Sequence, residues 1–166
     1  MAKHLAKRET KVTADHRADN ILRMEFTRDW FVEYMEIWPE VFRRHGWDAE
    51  EPKSILEIGC FEGLSTCWML NNLLKHSGSR MVCIDTFEGG REHAHDGTNM
   101  TSVRETFFRN VEKTGRTDIV RVLEERSDTG LLRLLQENQE AFDFIYVDGS
   151  HLSTDVLVDL VLGFRL

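Results

Sequence analysis

The sequence predicts an α/β fold built on a doubly wound, Rossmann-like parallel sheet. Four short runs at residues 54–58, 80–84, 118–123 and 142–147 are apolar enough to be strands buried on both faces. Longer segments with helical spacing separate them, and strand–helix alternation of this kind means parallel strands joined by right-handed crossovers. A chain of 166 residues, 41% hydrophobic and 30% charged, is large enough to bury a real core as one globular unit.

The elements follow in order. Residues 1–50 form a basic tail and N-terminal helices, with seven Lys/Arg against four Asp/Glu up to Arg28. Thr27 is placed to cap a helix carrying Phe31, Tyr34, Met35 and Trp38; Pro39 interrupts it, and a second short helix runs to Gly46. A polar stretch at 47–53 leads into the main domain, 51–166. There the strand at 54–58 precedes a helix at 64–76, and the strand at 80–84 precedes a long polar loop at 86–101. Helices at 103–113 and 129–138 flank the strand at 118–123, and the strand at 142–147 is followed by a helix from Leu152 to the end. The fourth strand has no later strand to cover its far edge, and Val156, Leu157, Leu160, Val161 and Phe164 have no later element to pack against. The sequence therefore reads as a domain incomplete at its C-terminus, or as one whose edge is covered in a homo-oligomer.

Composition excludes several classes of function. The net charge of −8 argues against a nucleic-acid binder, which needs a basic face. No apolar run is long enough to span a membrane and no signal-peptide core opens the chain, so a cytoplasmic protein is expected. Cys60, Cys67 and Cys83 are an odd number with no C-x-x-C pair, and read as small buried hydrophobes.

The stretch Glu57-Ile-Gly59-Cys-Phe-Glu-Gly63 has the form acid-x-G-x-x-x-G between a strand and a helix. It lacks the Lys-Ser/Thr of a phosphate-binding loop and the three-glycine spacing of a dinucleotide fold. Its glycines let a ligand approach bare backbone, the helix start favours an anion and the acid favours a cation. A ligand carrying both, an amino-acid moiety, fits. Asp85 ends the second strand, where an acid takes ribose hydroxyls. An aminoacyl end plus a ribose implies S-adenosylmethionine. Asp148 and His151, at the end of the fourth strand, offer a carboxylate for a divalent cation and an imidazole for a hydroxyl proton; the bland reading is a turn former and a helix cap. His93, His95 and Asp96 match no standard zinc spacing, and their loop reads as a lid. Trp30, Phe31, Tyr34, Trp38 and Trp47 could line an acceptor pocket, with core or dimer packing the preferred reading.

The stretches ILEIGCFEGLS, CIDTFEGG and FDFIYVDGSH, in that order, resemble the class I S-adenosylmethionine-dependent methyltransferases. More narrowly, residues 50–166 resemble the O-methyltransferases related to macrocin O-methyltransferase and, more distantly, catechol O-methyltransferase. The resemblance implies that Glu57, Gly59, Gly63 and Ser65 surround the methionine part of the cofactor and that Asp85 holds its ribose. It places Ser127 at the adenine, where an ordinary helix cap is the equal alternative, with Phe87 packed near. It makes His151 the catalytic base and Asp148 a ligand of Mg2+, whose two remaining ligands in relatives follow a fifth strand. The implied function is O-methylation of a small-molecule hydroxyl, sugar or polyketide-like; the rivals are a nicotinamide oxidoreductase and a non-catalytic module that binds the cofactor or a partner.

Overall fold

The computed structural model describes residue 21 and residues 23–90, 98–137 and 141–166. Most of the basic tail, the residues His93, His95 and Asp96, and the expected helix end at Asn138 lie outside this set. The elements are α1 (Val32–Arg44), β1 (Ser54–Ile58), α2 (Leu64–Asn72), β2 (Arg80–Ile84), α3 (Val103–Lys113), β3 (Val120–Leu123), α4 (Ser127–Gln136), β4 (Phe144–Val147) and α5 (Ser153–Gly163). Among the described residues no helix is long and apolar enough to cross a membrane.

The sheet is parallel throughout, in the order β3-β2-β1-β4. Its residues alternate between two cores because successive side chains on a strand point to opposite faces. Ile55, Met81 and Cys83 pack with Phe31 just before α1, Phe42 of α1, Trp68 of α2 and Phe107 of α3. Leu56, Ile58, Val82 and Ile84 pack on the other face with Leu131 and Leu134 of α4 and Leu162 of α5. The order reverses between β1 and β4, so the crevice that α/β sheets offer to ligands lies over the carboxyl ends of those two strands. Among the described residues β4 pairs on one side only.

Several boundaries differ from the sequence expectation for physical reasons. Pro39 does not divide the first helix; it sits inside α1. Proline leaves one carbonyl without its helical donor, yet rings on either side of it hold the helix to β4, with Trp38 4.9 Å from Tyr146 and Phe42 4.9 Å from Phe144. Thr27 caps nothing: its amide and hydroxyl both donate to the buried Glu62 carboxylate, at 2.5 and 3.0 Å. Helix α2 stops at Asn72, and just beyond it the amides of Lys75 and His76 turn to the carbonyl of Ala49. A 3-10 turn, Thr117–Ile119, delays β3. Residues 142 and 143 precede β4, with the Asp143 carboxylate accepting the Ser54 amide at 2.8 Å. Helix α4 begins two residues early, at Ser127.

Two cores meet at the turn after β1. Gly59 has φ +83°, and a Cβ there would lie 2.2 Å from the Asp148 carbonyl oxygen. Gly46 has φ +71° with nothing near its missing side chain. Gly59→Ala is therefore expected to lower stability by at least about 3 kcal/mol, because backbone cannot move aside, whereas Gly46→Ala is expected to lower it by about 1 kcal/mol from dihedral strain alone. Urea titrations of both variants check this; equal losses would contradict it.

Candidate functional site

The carboxyl edge is organised by a single carboxylate. Asp85, one residue beyond β2, accepts the amides of Cys60 and Phe61 on Oδ2 at 2.6 and 2.9 Å, and the amide of Phe87 on Oδ1 at 2.7 Å. It thereby ties the turn after β1 to the turn after β2. Phe61 and Phe87 are the two described non-glycine residues with positive φ, at 48° and 56°. Holding a phenylalanine in this region costs on the order of 1–3 kcal/mol, and such strain persists where surrounding bonds fix it. Here the same carboxylate fixes both.

Glu57 supports the turn from below. It is fully buried, and the Ser65 and Thr66 hydroxyls, in the first turn of α2, both donate to it. Burial pushes its carboxyl up to about 7, against the two hydroxyl bonds that pull it down and with Asp148 and Asp85 adding repulsion. Both oxygens are taken, so neither Glu57 nor Ser65 presents a free group at the edge in this conformation. Their part in any ligand contact runs through the turn they hold. Gly59 backs onto the Asp148–Gly149 backbone, and a Cβ on Gly63 would meet the Phe107 ring at 3.0 Å. Both glycines thus serve internal packing as well as the turn. Burial first, among other causes, pushes the Cys60 thiol far up, which suits the hydrophobe reading of the cysteines.

Phe87 is buried, its ring 5.1 Å from Phe107 and 6.1 Å from Phe108. Ser127 is the first residue of α4, and the residue that caps the helix is Arg126, without a side-chain cap bond. Ser127 lies near Asp159 of α5, outside good hydrogen-bond geometry: Asp159 is 1% exposed with neither oxygen partnered, and burial pushes its carboxyl up.

Across the switch point, Asp148 and His151 come together. His151 Nε2 lies 3.8 Å from Asp148 Oδ1, and the imidazole is 71% exposed. The other oxygen of Asp148 accepts the Tyr146 hydroxyl at 2.9 Å. Burial raises the Asp148 carboxyl, while Tyr146 and His151 draw it down. Burial first, then the Asp148 charge, pushes the Tyr146 phenol up, so it is a hydrogen-bond donor here. A hard cation such as Mg2+ takes about six oxygen ligands with several from carboxylates or waters. Among the described residues the grouping that could ligate a metal is Glu57, Cys60 and Cys83, buried and soft, and it does not include Asp148. Asp148 itself brings one carboxylate to such an ion, its Oδ2 already accepting the Tyr146 hydroxyl.

Sequence reasoning missed Phe61, Thr66, Glu62 and Tyr146. Tyr146 was findable, since two residues before Asp148 on a strand puts it on the same face. Thr66 lies beside Ser65 on a helix start aimed at β1. Glu62 binds Thr27, and its carbonyl accepts the Asn110 amide at 3.0 Å, partners too distant in sequence to pair by pattern.

This geometry puts an acid at the end of β2 and a turn of bare backbone at the switch point of an α/β sheet. A model of a methyltransferase domain matches residues 56–165, and the chain belongs to that family. No curated protein matches the chain. Among solved structures it is similar to an O-methyltransferase from Bacillus cereus in complex with S-adenosylhomocysteine, with 21% identity, a TM-score of 0.62, and coverage of 95% of this chain and 64% of that one. It is also similar to the O-methyltransferase TomG from Streptomyces achromogenes, involved in tomaymycin synthesis and solved with S-adenosylmethionine, with 18% identity, a TM-score of 0.62, and coverage of 95% and 63%. A calicheamicin methyltransferase gives 15% identity, a TM-score of 0.54, and coverage of 98% and 75%. The identities are low, so these likenesses show the fold. The chain spans 62–64% of the length of the first three structures it resembles.

The buried Glu57 makes stability depend on pH. Its folded value of about 7 lies above the ordinary 4.5, so the folded state holds a proton that the unfolded state releases. Its contribution is fully present below about pH 4.5 and is lost as pH rises through about 7, a fall of about 3 kcal/mol for a shift of this size. Glu57→Gln should flatten this part of the profile. Melting curves at several pH values test it, and an unchanged slope in the variant would contradict the assignment.

Proposed function

We propose that this chain binds S-adenosylmethionine over the turn after β1 and transfers its methyl group to the hydroxyl of a small molecule. The observation that carries the reading is Asp85, together with membership of the methyltransferase family. The similar structures solved with the cofactor or its demethylated product support it.

The donor set fits the cofactor. A carboxylate has about four acceptor sites, and amides take three of those on Asp85, which leaves room on Oδ1 for a ribose hydroxyl. The turn at 59–65 would hold the methionine part through its backbone, braced by Glu57 beneath. Ser127, at the opening of α4, would border the adenine. Once bound, the cofactor supplies a methyl group on a sulfonium, already a good electrophile. What remains for the protein is alignment and removal of the acceptor's proton. His151 is exposed at the edge and accepts that proton, and Asp148 stabilises the imidazolium across 3.8 Å. Tyr146 holds the far oxygen of Asp148 and so fixes which oxygen faces the imidazole.

Calorimetry should show S-adenosylhomocysteine binding and no comparable binding of NAD, and Asp85→Ala should weaken the former by on the order of 1.5–3 kcal/mol. Tight NAD binding, or an unaffected Asp85→Ala variant, would reject the reading. With an acceptor in hand, His151→Ala should lower turnover by roughly two to four powers of ten while leaving cofactor affinity near that of the wild type. Wild-type turnover in that variant would place the base elsewhere.

A further inference from the structure

Asp159 of α5 is buried, and neither of its carboxylate oxygens has a hydrogen-bond partner. A buried carboxylate without a donor is costly, and such a group calls for an explanation. Its neighbours place it under the carboxyl edge. A Cβ on Gly149 would lie 3.9 Å from Asp159 Oδ2 and 3.3 Å from Ile58 Cγ2, so the carboxylate sits beside the end of β1 and the turn after β4. The opening of α4 comes to the same place. A Cβ on Gly130 would lie 2.9 Å from the Ile84 side chain, and Ile84 immediately precedes Asp85. Ser127, three residues earlier on α4, is half-buried.

The groups that act on Asp159 leave it one donor. Asp155 on its own helix and Asp128 on α4 repel it, and the Arg126 guanidinium is well exposed and turned to Asp128, at 3.3 and 3.4 Å. The Ser127 hydroxyl remains, and it draws the Asp159 carboxyl down against burial. An ionised carboxylate only accepts, whereas a serine hydroxyl has one hydrogen and two acceptor positions. With that hydrogen turned to Asp159, the outward side of Ser127 Oγ can only accept as well.

Resting on the methyl-transfer reading, which puts the base at the opening of α4, we propose that Asp159 is a positioning residue: it accepts the Ser127 hydroxyl, turns the serine oxygen toward the base as an acceptor, and so makes the site select a 6-amino purine over a 6-oxo purine. The bond is open in this structure and closes when the base arrives. The exocyclic amine of adenine then donates to Ser127 Oγ, whereas a carbonyl at that place sets lone pair against lone pair. A site built around such a bond rejects the analogue that lacks it, because its own polar atoms are left unpaired. Asp159 reaches the base only through Ser127.

The test titrates the full chain with S-adenosylhomocysteine and with S-inosylhomocysteine, which carries a carbonyl in place of the exocyclic amine. The wild type should hold the adenosine form roughly tenfold tighter or more. Asp159→Leu, which keeps the volume and removes the polar atoms, should bring the two affinities within about threefold of each other, and so should Ser127→Ala. The double variant should match either single one, because both remove the same bond. Asp159→Leu should also melt no lower than the wild type, since an unpartnered buried carboxylate gives way to an apolar group of similar size. An Asp159 that served the fold alone would lower the melting temperature on substitution and leave the preference intact. Equal binding of both nucleosides by the wild type overturns the proposal and leaves the methyl-transfer reading standing. So does a preference that survives in Asp159→Leu or Ser127→Ala, or an Asp159→Leu variant that melts far below the wild type. A wild type that binds neither nucleoside refutes that reading, and this proposal with it.

Discussion

The Asp85 carboxylate is the interaction on which the carboxyl edge depends. Three amides from two turns converge on it, and two of them belong to phenylalanines held at positive φ. Without a shared acceptor, each amide would sit unpartnered in a half-buried turn, and each phenylalanine would relax toward an ordinary conformation. Hydrogen bonds to a charged group are the strong ones, so one side chain can hold a strained loop pair that no packing contact specifies. The same three bonds leave one acceptor position on Oδ1 unfilled by these amides.

Beneath this clamp the sheet sorts its residues by depth. Glu57 and Cys83 face each other across β1 and β2 on the aromatic face, and α2 sends Ser65 and Thr66 down to Glu57. An acid in such a place is expensive unless bonded or protonated. Here two hydroxyls bond it and burial raises its carboxyl toward the neutral form, which lets a polar brace sit inside an apolar core directly under the turn. On the far side of the switch point, Tyr146 plays the corresponding part for Asp148. Each edge carboxylate is thus steered by a neighbour on its own side, and the Gly59 backbone keeps the two sides in contact.

Much of this fold was legible in the chain. The bounds of β1, β2 and α3 follow from apolar patterns that burial on both faces or a clear helical period makes unambiguous. The N-terminal region was not, because Pro39 obeys local rules only in isolation; two rings, Trp38 and Phe42, docking on Phe144 and Tyr146 of β4 override them. In the site, Asp85 and Asp148 stood out because strand ends in such sheets point at the ligand crevice. The left-handed backbone at Phe61 and Phe87 was not readable, since no propensity places phenylalanine there. The depth of Glu57 and Ser65 was equally hidden: the spacing shows that they approach each other, and only packing shows that they leave no group free. The aromatic residues around the start of α1 divide in a way that composition cannot show, with Phe31 buried in the core and Trp30 and Tyr34 about half exposed.

The claim that Asp85 organises a nucleoside site is tested most directly by the backbone amide resonances of Cys60, Phe61 and Phe87 during titration with S-adenosylhomocysteine. All three amides share one carboxylate, so a ribose hydroxyl joining that carboxylate should shift the three together, along one saturation curve, and leave the amide of Gly46 unmoved. Shifts confined to other parts of the chain, or three amides that stay fixed while the ligand binds, would contradict it.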